Sequence, residues 1–276
     1  MMRKLSQSVL LISLLCCTRF AAAQCTFHVT DMAFGSYTGG EAALPGTATG
    51  TWTGTCSGNW DIPLNQGTGQ GASETTRYMT GPNNAEIAYG VYQDAAHTVN
   101  WGNTAGTEKT GDTYGPVTFY GLITAGQYPT PGTYTDTLST ATQSFNVSVT
   151  VVSGCAVAAT NLAFGAYTGP LINSTSTVTV TCTNTTPYNV GLNAGTATGA
   201  TVTNRKMTGP GGALLRYSLS QDSGHSTNWG NTVGTDTEAG TGSGGAQGLT
   251  VYGQLPAGQV VTPGAYTDTI TVTVTY

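Results

Sequence analysis

This chain carries one sequence pattern twice, and a single period-two run separates the copies. The run is Phe145–Cys155, FNVSVTVVSGC. Phe145, Val147, Val149 and Val151 fall on one side; Asn146, Ser148 and Thr150 fall on the other. That alternation is the mark of a strand with one buried face. The first copy has this strand after it. The second has nothing after it, because the chain stops at Tyr276, and nothing comparable precedes the first. The functional reading rests on that asymmetry.

The copies align motif by motif. Cys25 leads to Phe34-Gly35-Ser36-Tyr37-Thr38-Gly39, and Cys155 leads at the same spacing to Phe164-Gly165-Ala166-Tyr167-Thr168-Gly169. Cys56 and Cys182 each close a Thr-rich alternating run. Trp60, Ile62 and Leu64 match Tyr188, Val190 and Leu192, an inward-facing strand stripe. Arg77-Tyr78-Met79-Thr80-Gly81-Pro82 matches Arg205-Lys206-Met207-Thr208-Gly209-Pro210, with a turn at Gly-Pro. Asn100-Trp101-Gly102-Asn103-Thr104 matches Asn228-Trp229-Gly230-Asn231-Thr232. Loops rich in Gly and Thr follow, Ala105–Gly115 and Val233–Gly248. Pro131-Gly132-Thr133-Tyr134-Thr135-Asp136-Thr137 matches Pro263-Gly264-Ala265-Tyr266-Thr267-Asp268-Thr269. Two homologous domains of roughly 125 residues follow, an ordinary domain size. Short strands between Gly/Pro/Asn turns, with no helical period outside the leader, predict an all-β fold. The expectation is two tandem immunoglobulin-like β-sandwich domains.

The N-terminus reads as a secretory signal over residues 1–23. Arg3 and Lys4 precede an apolar core from Val9 to Leu15, and Ala21-Ala22-Ala23 offers a cleavage site before Gln24. That core is too short to span a membrane, and no other segment approaches one. Leu15 and Gln24 precede Cys16 and Cys25 where a lipid-anchor site wants small residues. Cleavage leaves Cys25, Cys56, Cys155 and Cys182, two per repeat, which in an exported chain argues for disulfides. Three pairings are open, and the repeat favours Cys25–Cys56 with Cys155–Cys182. In the chain-entropy account each bridge is worth roughly 3 kcal/mol. Cleavage also removes Arg3, Lys4 and Arg19, leaving 5 of the 8 basic residues against 13 acidic ones, a net charge near −8. That balance argues against nucleic acid and anionic membrane surfaces as partners.

The chemistry-bearing residues are sparse. His97 and His225 each follow an aspartate by three residues, but no further ligands cluster near them, so a turn is the better reading than a metal site. Asp136 and Asp268 each stand alone in a strand-entry motif, and acid–base chemistry wants a partner group. Gly240–Gly244 is a flexible low-complexity loop and not a nucleophile elbow. Arg77 and Arg205 fit packing and ion pairing as well as ligand binding. Trp101 and Trp229 recur in both copies, which points to a structural role. No enzyme activity, cofactor or metal is expected.

Together, Phe-Gly-x-Tyr, Arg-x-Met-Thr-Gly-Pro, Asn-Trp-Gly-Asn-Thr and Pro-Gly-x-Tyr-Thr-Asp-Thr on two cysteine-stapled repeats resemble the spore coat protein U domain family. These are the pilin domains of archaic (Csu-type) chaperone–usher pili. The resemblance covers essentially all of the mature chain. It implies incomplete immunoglobulin-like folds, each lacking its last strand until a neighbour supplies one. It also implies a periplasmic chaperone, an outer-membrane usher and a surface fibre, and it implies no catalysis.

A major pilin of this family resembles a single domain with an N-terminal donor strand before its first cysteine. Here Gln24 abuts Cys25, so no such extension is expected. Residues 24–152 are read as an N-terminal adhesin-type domain completed within the chain by Phe145, Val147, Val149 and Val151. Residues 155–276 are read as a C-terminal pilin domain with an open strand-acceptor groove at Ile270, Val272, Val274 and Tyr276. A turn near Thr142-Gln143-Ser144 would precede the extra strand. The rival account makes residues 145–152 the counterpart of 270–276, leaving both domains incomplete. A chain that accepts a strand and donates none belongs at a fibre tip. The expectation is therefore a pilus-tip adhesin: exported, in the periplasm in transit, then at the cell surface. It would mediate attachment to a biotic or abiotic surface and biofilm formation. The alternative is a secreted spore-coat-like or matrix protein without an adhesive site. An adhesive site would lie at the end of domain one far from the linker, beside Ser57–Asn59 and Asp94–Gly115. Tyr114 is its apolar candidate, although packing against its own domain explains Tyr114 as well.

Overall fold

The computed structural model describes residues 25–276, so the signal-peptide expectation lies outside the described residues. In the first repeat the chain forms β1 (Thr26–Val29), β2 (Met32–Tyr37), β3 (Ala43–Thr53), β4 (Trp60–Ile62) and β5 (Arg77–Thr80). It continues through β6 (Glu86–Tyr92), β7 (Lys109–Gly111), β8 (Val117–Thr124), β9 (Gly132–Ser139) and β10 (Ser144–Val151). The second repeat forms β11 (Cys155–Ala159), β12 (Ile172–Cys182), β13 (Pro187–Leu192) and β14 (Arg205–Thr208). It ends with β15 (Leu214–Ser220), β16 (Glu238–Thr241), β17 (Ala246–Leu255) and β18 (Val272–Thr275). Both domains are all-β and pilin-like, and the second lacks the strand that completes the first. Among the described residues no helix is long and apolar enough to cross a membrane.

Domain one is one continuous ladder in the order β1-β3-β8-β6-β5-β9-β10-β2, with β4 and β7 as a separate pair. The run FNVSVTV alternates, so its Phe and Val side chains turn inward together: Phe145, Val147, Val149 and Val151 are at most 3% exposed. β10 lies antiparallel to β9, with Val147 opposite Asp136, and parallel to β2, with Val147 opposite Met32. It therefore fills the gap between two strands that do not otherwise meet. The reversal before it is a tight turn from Thr140 to Gln143, closed by Thr140 N donating to Gln143 O at 2.8 Å.

Domain two repeats this plan without the filling strand. Its ladders run β11-β12-β17-β15-β14 and β16-β13-β18. The correspondence of Gly132–Ser139 with residues 264–271 is fixed by shared hydrogen bonds. Thr80 pairs with Thr135 as Thr208 pairs with Thr267, and Asn65 N donates to Ser139 O as Asn193 N donates to Thr271 O, both at 3.1 Å. After Thr271 the chain runs on into β18 beside β13, where domain one instead turns back into β10.

Two loops contain more order than their composition suggests. β7 lies inside Ala105–Gly115, and β16 takes in Gly240 and Thr241 of the Gly-rich stretch. The cause is the same in each copy. Trp60 sits opposite Gly111 and Tyr188 opposite Gly240, and each ring lies where a side chain on that glycine would stand.

Disulfides join Cys25 to Cys56 and Cys155 to Cys182. The domains stack head to tail. Asn184 N donates to Tyr128 O and Asn184 Nδ2 to Thr130 Oγ1, both at 3.0 Å, while Thr183 N donates to Gly154 O at 2.9 Å. The disulfide end of domain two thus rests on the base of domain one, and among the described residues the disulfide end of domain one is the free end.

Candidate functional site: an open groove in domain two

Take away β10 from domain one and its neighbours would be left as domain two leaves them. In domain one Met32, Phe34 and Tyr37 form part of β2 and are buried. Their counterparts Leu162, Phe164 and Tyr167 are half-buried and belong to no strand. Tyr134 and Leu138 of β9 are fully buried, whereas Tyr266 and Ile270 are half-buried. Along 264–271 only Thr267 makes a ladder bridge, on the side away from the gap.

Between these two walls runs a groove of two adjoining hollows of about 600 and 670 Å³, which share Leu162, Phe164, Met207 and Tyr266. Leu192, Tyr217, Leu219 and Val251 form its floor. A strand placed there meets what β10 meets in domain one: backbone donors and acceptors on each side, and apolar pockets for alternate residues.

Of the four residues assigned to this groove from sequence, Ile270 and Val272 line it. Val274 and Tyr276 do not; Val274 pairs with Val190 in the β13–β18 ladder, and Tyr276 is 57% exposed beyond it. The reason is the change of partner after Thr271, which carries the last residues past the end of the groove. The opposite wall, Leu162 and Phe164, went unassigned. The Phe-Gly-x-Tyr motif beside it was the available signal.

A polar frame supports each groove. Asp136 is buried and accepts from Thr68 N, Thr68 Oγ1, Thr137 N and Tyr89 Oη at 2.7–2.8 Å. Asp268 accepts from Thr196 N, Thr196 Oγ1, Thr269 N and Tyr217 Oη at 2.7–2.9 Å. Burial, and then the carboxylate's hydrogen bond and charge, push both tyrosine hydroxyls well above their ordinary range. Arg77 and Arg205 are fully buried, and burial lowers both. Their donors go to backbone carbonyls: Arg77 to Asn65, Glu74 and Trp101, and Arg205 to Asn193, Val202 and Trp229. Of the roles left open by the sequence, the one these arginines take is carbonyl capping inside the packed core. Trp101 and Trp229 donate Nε1 to Ile62 O and Val190 O, both at 2.8 Å.

The Asp-x-x-His segments are loops organised by the aspartate. Asp222 accepts from Thr227 N and Ser226 N, which hold its carboxyl down at about 2. Asp94 accepts from Val99 N and Thr98 N, which lower its carboxyl below the ordinary range. His97 and His225 occupy the left-handed positions of these turns, at φ 56° and 54°. No group of three or more His, Cys, Asp or Glu within reach of a common metal ion occurs among the described residues.

At the free end of domain one, Tyr114 is half-buried and donates its hydroxyl to Gly58 O at 2.8 Å. It packs edge-on against Trp52, with ring centres 5.1 Å apart, in a hollow also lined by the Thr140–Thr142 turn. Tyr114, the Ser57–Asn59 loop and that turn are therefore brought together. Trp52 and Trp60, which complete the cluster, were missed from sequence; Trp52 lies in a Thr-rich run and has no aromatic counterpart.

Comparison with known proteins agrees with this architecture. A similar solved structure is the chaperone–tip adhesion subunit pre-assembly complex CsuC–CsuE from archaic chaperone–usher Csu pili of Acinetobacter baumannii. The likeness has a TM-score of 0.56 at 16% identity and covers 92% of this chain and 100% of that one. The CupB6 tip adhesin of Pseudomonas aeruginosa is matched with a TM-score of 0.35 at 11% identity, over 92% of this chain and 94% of that one. No curated protein is matched. The family model for the Spore Coat Protein U domain matches twice, over residues 11–140 and 141–273. Its second match begins before β10. Matched over nearly its whole length, the chain belongs to the spore coat protein U domain family.

Proposed function

We propose that this protein is the tip subunit of a surface pilus assembled by the chaperone–usher pathway, with domain one as the adhesive part and domain two as the joint to the fibre. The observation that carries this reading is the contrast between the two grooves. In domain one β10 of the same chain occupies the gap; in domain two the homologous gap between residues 161–167 and 264–271 is open. Strand addition to such a gap is a known recognition mode, and pilin donor-strand complementation is one of its named instances. The partners are then a periplasmic chaperone, an outer-membrane usher and the N-terminal donor strand of the adjacent pilin. Head-to-tail stacking supports the terminal position. The disulfide end of domain two is covered by domain one, and the same end of domain one is left uncovered by the described residues, free to meet a biotic or abiotic surface. Attachment and biofilm formation are the roles this position serves.

The groove's energetics set the test. Burying four apolar side chains contributes about 6–12 kcal/mol before ordering costs. That is comparable with the whole stability of a domain, about 5–15 kcal/mol. The mature chain should therefore melt in two steps, with domain two unfolding first and the free chain self-associating through its open edge. Fusing the leading strand of a co-encoded pilin after Tyr276, through a flexible turn, should raise the lower transition and give a monomer. If domain two already melts as cooperatively and as high as domain one, the strand-acceptor reading fails and a matrix protein becomes the better account.

A further inference from the structure

The surface that joins the two domains is repeated, uncovered, on domain two. In domain one the loop after β8, Ala125-Gly126-Gln127-Tyr128-Pro129-Thr130, is the seat on which domain two rests. Tyr128 O accepts from Asn184 N, and Thr130 Oγ1 accepts from Asn184 Nδ2. Domain two carries the same loop after β17, Ala257-Gly258-Gln259-Val260-Val261-Thr262. Matching bonds hold both loops in one shape. Tyr134 donates its hydroxyl to Thr130 O at 2.7 Å, and Tyr266 donates to Thr262 O at 2.8 Å. Gln127 N donates to the Tyr37 hydroxyl as Gln259 N donates to that of Tyr167. Gln127 Nε2 donates to Ala88 O, and Gln259 Nε2 to Arg216 O.

The loops differ in what covers them. Tyr128 and Thr130 are half-buried, whereas Val260 is 99% exposed and Thr262 is exposed. Among the described residues nothing donates to Val260 O or to Thr262 Oγ1. Leu171, 50% exposed, lies on the same base, two residues past Gly169, whose carbonyl accepts from Gly258 N at 2.9 Å. A lone exposed valine means little. This one stands where the other copy of the loop carries an interface. The leash across that interface is short. Only Val152, Ser153 and Gly154 separate β10 from Cys155, so Val151 and Cys155 lie within roughly 14 Å of each other. Gly154 is buried, and a side chain on it would run into the backbone of Thr38.

We infer that the base of domain two is a second docking surface for the adjacent pilin, which seats its disulfide end there as domain two seats its own on domain one. This inference rests on reading domain two as a strand acceptor. The occupant is a single-domain pilin of this family whose donor strand reaches its first cysteine through a connection as short as residues 152–154. Filling the groove with that strand brings the pilin body onto the base. The residue two past its second cysteine, the place of Asn184, donates its backbone N–H to Val260 O. An amide or hydroxyl side chain at that residue reaches Thr262 Oγ1. Val260 and Leu171 pass from water into the contact. The fibre joint is then a stacked one and not a flexible tether.

The test uses the mature chain with the intact co-encoded pilin, and with a synthetic peptide of that pilin's donor strand alone. Native mass spectrometry establishes that each is bound. Val260→Cys, at a wholly exposed position, supplies a reporter thiol. The intact pilin should slow alkylation of that thiol about tenfold or more, as a contact closed at least about nine-tenths of the time requires. The peptide should leave it as reactive as in the free chain. Val260→Asp puts a charge into the contact. It should speed displacement of the intact pilin by excess peptide about tenfold, and leave displacement of a bound, labelled peptide unchanged. A thiol equally reactive with pilin and with peptide overturns the inference while the acceptor reading stands. Shielding by the peptide alone, or equal acceleration of both releases, also overturns it, since filling the groove would then account for the effect. If neither pilin nor peptide binds, the acceptor reading is wrong and the inference falls with it.

Discussion

Tyr89 donates its hydroxyl to Asp136 at 2.7 Å, and both side chains are almost wholly buried. The same bond, Tyr217 to Asp268 at 2.7 Å, borders the groove of domain two, where Asp268 is only half-buried. One frame thus exists in a filled and an unfilled state within one chain. An asparagine keeps one acceptor oxygen where the carboxylate uses two. Asp136→Asn should cost domain one about 1.5–3 kcal/mol, the worth of a hydrogen bond to a charged group. Asp268→Asn should cost less in the free chain and more once a strand fills the groove. Denaturant unfolding of both variants, with and without the fused strand, measures this. Equal costs in both domains of the free chain would contradict it.

The buried tyrosines set an alkaline limit. Burial raises Tyr89 and Tyr217 above the unfolded value of about 10. A raised acid binds its proton more tightly in the folded state, so the stability it contributes is complete below about pH 10 and falls as pH rises above it. Stability should be level from neutral pH to about 10, then decline. Tyr89→Phe should flatten that decline in domain one, while lowering the plateau by the lost hydrogen bond. Ultraviolet difference titration should show Tyr89 and Tyr217 among the tyrosines that ionise only as the protein unfolds.

Arg77 and Arg205 hold loops by their carbonyls, and geometry matters more than charge. A lysine places its donors at one point and cannot reach carbonyls on several sides. With two charged hydrogen bonds lost at about 1.5–3 kcal/mol each, Arg77→Lys and Arg205→Lys should each destabilise their domain by about 3–6 kcal/mol. A cost under about 0.5 kcal/mol, within the usual range for surface substitutions, would show that the charge alone suffices.

The parts of this fold that could be read from the residues are those whose signal is local. The alternation of Phe145–Val151 gives β10 its buried face, and equal spacing from cysteine to Phe-Gly places the two repeats in register. What escaped depends on partners distant in sequence. The period-two pattern runs unbroken from Ile270 to Tyr276, so nothing local marks the point after Thr271 where the ladder partner becomes β13. Val274 and Tyr276 were misplaced for that reason. β4 and β7 are three residues each, too short to stand out from a Gly/Thr loop, yet their ladder sets Trp60 opposite Gly111. The role of the arginines stayed open between packing, ion pairing and ligand binding because carbonyl acceptors leave no trace in a sequence.

The strand that completes domain one should also be its weak point for exchange. Phe145 is 3% exposed and meets Phe119 edge-on at 5.5 Å, and Phe119 stacks on Trp101 at 4.0 Å. Phe145→Ala should therefore cost domain one about 3–5 kcal/mol, the usual range for removing a buried phenyl ring. The separate core of domain two should keep its own transition unchanged. Loosening β10 has a second consequence, because the strand it resembles is what domain two lacks. A released β10 from one chain fits the open groove of another, and such an exchange propagates head to tail without closing. Phe145→Ala should thus form concentration-dependent oligomers beyond those of the unaltered chain, seen by size-exclusion chromatography with light scattering. Filling the groove with the fused strand should suppress them. Oligomers that persist with the groove filled would mean that they arise from unfolded domain one and not from strand exchange.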